Sequence, residues 1–204
     1  MNEDELKEIS RRLCRAIGEA IYHWRFFCVL LDYSGAIRNG TLRPFKSFLT
    51  STHNAHLYAA IVGLYTFLDN NGSKYVTLKS YASRALVAGH KDFSDGVDNF
   101  FDKHKGSIES VTLLRHQYVA HRPIKRDELA AFEEANVIVP EVSRMADDLS
   151  ALHAQIGVIG GQKFTSPPCE EVAREEVMNF MELVIEALLR KDGTDYDKLK
   201  SEMS

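Results

Sequence analysis

Cysteine is scarce in this chain of 204 residues: Cys14, Cys28 and Cys169 stand far apart, with no Cys-x-x-Cys pair. An odd, scattered set excludes a disulfide framework and a cysteine zinc site, and points to a reducing compartment. Glycine and proline are few as well, 12 and 5 residues, so little of the chain carries turn chemistry. No apolar run reaches the ~20 residues a membrane-spanning helix needs. The opening Met-Asn-Glu-Asp-Glu is acidic where a secretory leader is basic and then apolar. A cytoplasmic protein that uses no membrane is expected. Positive charge is not in excess either, since 25 Lys and Arg face 29 Asp and Glu for a net charge of −4. Binding to nucleic acid would have to rest on a local basic patch. Glycine-rich phosphate loops, a Gly-x-Ser-x-Gly elbow and a His-Glu-x-x-His pair are all missing, which removes most well-marked enzyme classes.

What is abundant is helix former, with 45% apolar residues arranged at three- and four-residue steps. The expected fold is all-α: a bundle of four to five long helices with short connecting helices, one domain over residues 1–193 and a polar tail over 194–204. A long amphipathic helix from Glu3 to Asp32 carries Leu6, Ile9, Leu13, Ile17, Ala20, Trp24, Phe27 and Leu31 inward. Pro44 opens a second helix that runs to Leu68 and is apolar on nearly every face, so it is expected in the middle of the bundle. Thr77 caps a short helix with Leu78, Tyr81, Ala85 and Leu86 that stops at Gly89, and another carries Phe93, Val97, Phe100 and Phe101. Ser107 is the expected N-cap of a helix running to about His121, with Pro123 beyond it. Pro140 starts the next helix, with Val142, Met145, Leu149, Leu152 and Ile156 inward. Ser166-Pro167-Pro168 launches the last, whose inner stripe reads Val172, Val177, Phe180, Val184 and Leu188 and which stops near Gly193.

Two segments carry side chains with chemistry. From Ser110 to Arg126 the chain holds Arg115, His116, His121, Arg122, Lys125 and Arg126 and no acidic residue, the local exception in an acidic protein. Guanidinium donors grip phosphate while imidazole moves protons near neutral pH, the combination needed when an RNA strand is cut by its own 2′-hydroxyl. In the second segment, His53-Asn-Ala-His56 puts two imidazoles on adjacent turns, a spacing that can offer two metal ligands. No carboxylate accompanies them, and buried hydrogen-bonded histidines are the simpler reading. No metal or other cofactor is expected.

The run Arg115-His-Gln-Tyr-Val-Ala-His121 resembles the motif of HEPN domains: an Arg, a polar residue after it, and a His a few positions on, with five residues between Arg115 and His121 here. Its surroundings, Leu-Leu-Arg-His-Gln-Tyr-Val-Ala-His-Arg-Pro, look most like the abortive-infection AbiU branch. That resemblance implies a metal-independent endoribonuclease acting in phage defence, as a homodimer, on RNA, with an antitoxin or other regulatory protein as a further partner. Carried over, Arg115 would hold the scissile phosphate, His121 would transfer protons and His116 would orient or assist. Tyr118, Arg122, Lys125 and Arg126 would contact RNA, though Tyr118 fits the helix's inner stripe better. A HEPN subgroup with a regulatory Tyr two residues past the motif His is not matched, because Pro123 stands there. Arg84 and His90 repeat the spacing, but Gly89 lies between them. Two rival readings are a non-catalytic HEPN scaffold that binds a nucleotide or a protein, and a metal protein using His53 and His56. In a straight α-helix Arg115 and His121 would sit about 120° apart and ~9 Å along the axis, so a two-fold axis near Tyr118 is expected to pair one chain's Arg115 with the other's His121.

Overall fold

The computed structural model describes residues 3–35, 42–69, 76–120, 135–162 and 170–192. Among these residues there are seven α-helices and no strand. Helix α1 (Glu3–Asp32) starts with Glu3, Asp4 and Glu5, whose charges complement the helix dipole. Its expected stripe is buried from Leu6 to Phe27, but Leu31 is only partly covered. Phe26, Val29 and Leu30 are buried instead and turn a second apolar face outward. The reason is that α1 is flanked on opposite sides. One face packs on α2 (Lys46–Leu68), α3 (Leu78–Val87) and α6 (Val139–Ile159), the other on α7 (Glu170–Asp192). The middle of the bundle is therefore α1 and not, as its composition suggested, α2. Phe48, at 55% exposure, and Tyr58 leave one side of α2 open to solvent.

A short 3-10 turn, Arg43–Phe45, holds Pro44 and leads into α2. The Thr77 cap is present as a reciprocal pair: the Ser80 N–H donates to the Thr77 hydroxyl at 3.1 Å and the Thr77 N–H to the Ser80 hydroxyl at 3.0 Å. Helix α3 ends at Gly89, whose φ of +94° suits glycine best, and buries Ala82 while Leu86 stays exposed. Helix α4 (Lys91–Lys103) buries Phe93, Val97, Phe100 and Phe101 as its spacing requires.

Helix α5 (Lys105–Leu114) begins earlier than its sequence indicates. His104 occupies the junction with α4, and Ser107 is buried inside α5 rather than capping it. The reason lies in α6, where the Asp148 carboxylate is 2.6 Å from His104 Nε2 and 2.5 Å from Lys103 Nζ. Hydrogen bonds from Lys103 and then His104 hold the Asp148 carboxyl below the usual carboxylate range. This cluster fixes the start of the helix that leads to the Arg-His motif. Helix α6 buries its five predicted residues and is followed by Gly161 at φ +63°. In α7 the buried residues are Ala173, Val177, Met181 and Val184. Val172 is exposed and Phe180, partly buried, meets the ring of Phe48. The side chain of Leu188, together with Ser166, Pro167, Pro168, Gly193 and the tail 194–204, lies outside the described residues. No described helix is long and apolar enough to cross a membrane.

Candidate functional site

Val111 and Leu114 are buried and pin the end of α5 to the core. At the next residue the helix widens, and Arg115–Ala120 form a π-helical turn. The Arg115 N–H is shared between the carbonyls of Thr112 and Val111, where the α-helical ladder ends. A π-turn closes hydrogen bonds from i to i+5 and rotates every later side chain away from its α-helical face. The expectation of one uniform α-helix through the motif is therefore corrected over Arg115–Ala120. Turns of this kind concentrate at functional sites.

Leu114 is buried while Arg115 is half-buried and His116 exposed, so the chain passes from core to surface in one step. Arg115 Nη1 lies 3.3 Å from His116 Nδ1. A guanidinium can only donate, so His116 Nδ1 accepts and its remaining ring hydrogen is on Nε2. The guanidinium carbon also sits 4.5 Å above the centre of the Tyr65 ring, within cation–π range. Tyr65 meets the His116 ring edge-on, at 5.5 Å between centroids and 80° between planes. A hydrogen bond to Asp69, followed by burial, pushes the Tyr65 phenol above its ordinary range, against a smaller opposing effect of Arg115.

The structure thus brings Arg115 and His116 together and adds Tyr65 and Asp69, which the reading by segments missed. The only local signal was a polar pair four residues apart closing an otherwise apolar helix, next to Asn70-Asn71-Gly72. An acidic residue does lie in this neighbourhood, but it comes from the C-cap of α2 and not from the motif's own segment. His121, Arg122, Lys125 and Arg126 are outside the described residues, and Tyr118 is on the π-turn with its side chain outside them. The chain resumes at Ala135, buried, and the Ser110 hydroxyl of α5 donates to the Asn136 carbonyl at 3.3 Å. In the second pair at this spacing, Arg84 pairs with Glu5 at 3.7 Å, while His90 stands at the N-cap position of α4 without a side-chain capping bond.

The histidines of α2 are not presented as a pair. His56 Nδ1 is 3.0 Å from His23 Nδ1 of α1 and its ring stacks on Phe26 at 4.0 Å, whereas His53 packs on Phe27 and bonds Asn54. Among the described residues no three His, Cys, Asp or Glu side chains are gathered to hold a metal. Burial, then His23 and His53, push His56 down from 6.5 to about 4; burial also lowers His23, against the raising effect of Glu19. The sign of the pH effect follows: between those two values the unfolded chain binds a proton that the folded chain refuses, so stability falls as pH falls through this window. The loss is about 2 kcal/mol once partial exposure is discounted. Thermal melts of His56→Phe, which keeps an aromatic ring beside Phe26, should show a flatter decline from pH 7 to 4.5 than the parent. Parallel declines would reject this account.

The family model HEPN_AbiU2, described as AbiU2, matches residues 3–180. An all-α bundle matched over this span defines the class as HEPN, a superfamily of helical domains. The chain belongs to its AbiU2 family, which is related to abortive infection. No curated protein and no solved structure matches it.

Proposed function

We propose that this protein is a metal-independent endoribonuclease that serves as a phage-defence effector, cutting RNA with its Arg115-x5-His121 motif. The observation that carries this reading is the Arg115–His116 pair on a π-helical turn, a guanidinium donor and an imidazole 3.3 Å apart at the surface. In the reaction the substrate's 2′-hydroxyl attacks the adjacent phosphorus, the 5′-oxygen leaves with a proton, and a cyclic phosphate remains on one product. Arg115 stabilises the charge that develops on the phosphate, His121 transfers protons and His116 orients or assists. Tyr118, Arg122, Lys125 and Arg126 contact the RNA strand. The working unit is a homodimer whose paired motifs concentrate basic charge in one cleft, which is how a chain of net −4 binds a polyanion.

The nucleophile belongs to the substrate, so cleavage should persist in chelator, give cyclic phosphate ends and spare all-DNA strands. Incubation of the pure protein with total RNA, an all-DNA control and excess EDTA reads all three. Activity abolished by EDTA, or DNA cut as readily as RNA, would overturn the reading.

A further inference from the structure

A half-buried arginine such as Arg115 still has up to about 2 kcal/mol of rotamer freedom to lose before its guanidinium can serve a developing charge. The His116 contact holds Arg115 weakly. At 3.3 Å it is long for a hydrogen bond. A second hold is supplied from α2.

We propose that Tyr65, tethered by Asp69, is the positioning residue that fixes the Arg115 guanidinium beside His116. Its service to cleavage rests on the ribonuclease reading above. Leu64, Phe67 and Leu68, the neighbours of Tyr65 on the last turns of α2, are all buried in the core. The backbone under Tyr65 is thereby fixed. Asp69 lies four residues on, at the spacing that brings two helical side chains together, and its carboxylate accepts the phenolic hydrogen. Donation to a carboxylate makes the ring more electron-rich and strengthens its attraction for a cation on its face. The guanidinium carbon 4.5 Å above the ring is placed to feel it. Such a contact uses no acceptor atom, so it does not consume the N–H donors that a phosphate requires. The edge-on meeting of Tyr65 with His116 sets the second ring of the pair from the same support.

The test combines two readouts on the full-length protein. In NMR spectra of arginine side chains, with Arg115→Lys identifying the resonance, the Arg115 Nε–H should be displaced by the ring in the parent and in Tyr65→Phe. It should move to an ordinary position in Tyr65→Leu. In single-turnover assays with a labelled RNA, Tyr65→Leu should lower kcat ~10-fold or more with little change in KM, since positioning acts on the reacting geometry. Tyr65→Phe and Asp69→Asn should fall between it and the parent, and Tyr65→Trp, which keeps a strong cation–π face, should recover most of the rate. An Arg115 resonance that is the same in the parent and in Tyr65→Leu overturns the clamp. So does a folded Tyr65→Leu that cleaves like the parent, or a folded Tyr65→Trp as slow as Tyr65→Leu. A parent that shows the displaced resonance yet cuts no RNA leaves the clamp standing and overturns the ribonuclease reading.

Discussion

Replacing Arg115 by Ala is expected to lower RNA cleavage by roughly 10²-fold or more, because a fixed donor aimed at developing charge is the largest single contribution such a site makes. The fold should be untouched. Arg115 is half-buried, its contacts are to His116 and the face of Tyr65, and the neighbouring anchor Leu114 remains in the core. Arg115→Lys keeps the charge but loses the planar fork and stacks less well, so an intermediate loss of about tenfold is expected. His121→Ala should match Arg115→Ala, and His116→Ala should cost less if His116 only orients. Initial rates on a fluorogenic RNA, beside circular dichroism melts, give the comparison. A folded Arg115→Ala or His121→Ala protein with the parent's rate would remove the mechanism.

A large effect on stability is expected at Gly63. A Cβ placed there would lie 2.8 Å from Ala20 Cβ and 3.4 Å from Ala20 Cα, across the contact between α1 and α2. Both helices are anchored along their length by buried residues, so neither can withdraw locally. Gly63→Ala gains up to about 1 kcal/mol of helix propensity. Overlap in a packed core costs about 1–3 kcal/mol and therefore outweighs it. Gly63→Val gains less propensity and overlaps more, so a loss of about 3 kcal/mol is expected, a large share of the ~5–15 kcal/mol typical of a folded protein. Urea unfolding measures it. The pairing is specific: Ala20→Gly should restore most of the stability lost in Gly63→Ala, since the methyl then occupies the space vacated by Ala20. No rescue in the double variant would show that close packing is not the cause.

Much of the bundle was legible residue by residue. The Thr77 cap, the helix start at Pro140 and the buried faces of α4 and α6 follow from local pattern, because a helix's period and its ends are set by residues within a turn or two. The departures have a common origin in neighbours that are remote in sequence. Leu30 replaces Leu31 in the interior because α7 covers a second side of α1. The start of α5 moves to His104 because Asp148 waits on α6. His56 turns from His53 to His23 because α1 and α2 cross there.

For the site, the sequence by itself determined which residue types are available: an Arg-His pair and a downstream His in a segment without acids, inside a chain whose family the same residues already resembled. Composition and spacing suffice for that, since chemistry resides in the side chains and helix formation in short-range periodicity. Only the tertiary structure decided that the helix widens at Arg115, that its guanidinium rests on Tyr65, and that an acidic residue, Asp69, accepts that ring's hydroxyl. Tyr65 and Arg115 belong to different helices, and contacts between helices depend on how two buried faces dock, a packing outcome that no local pattern encodes.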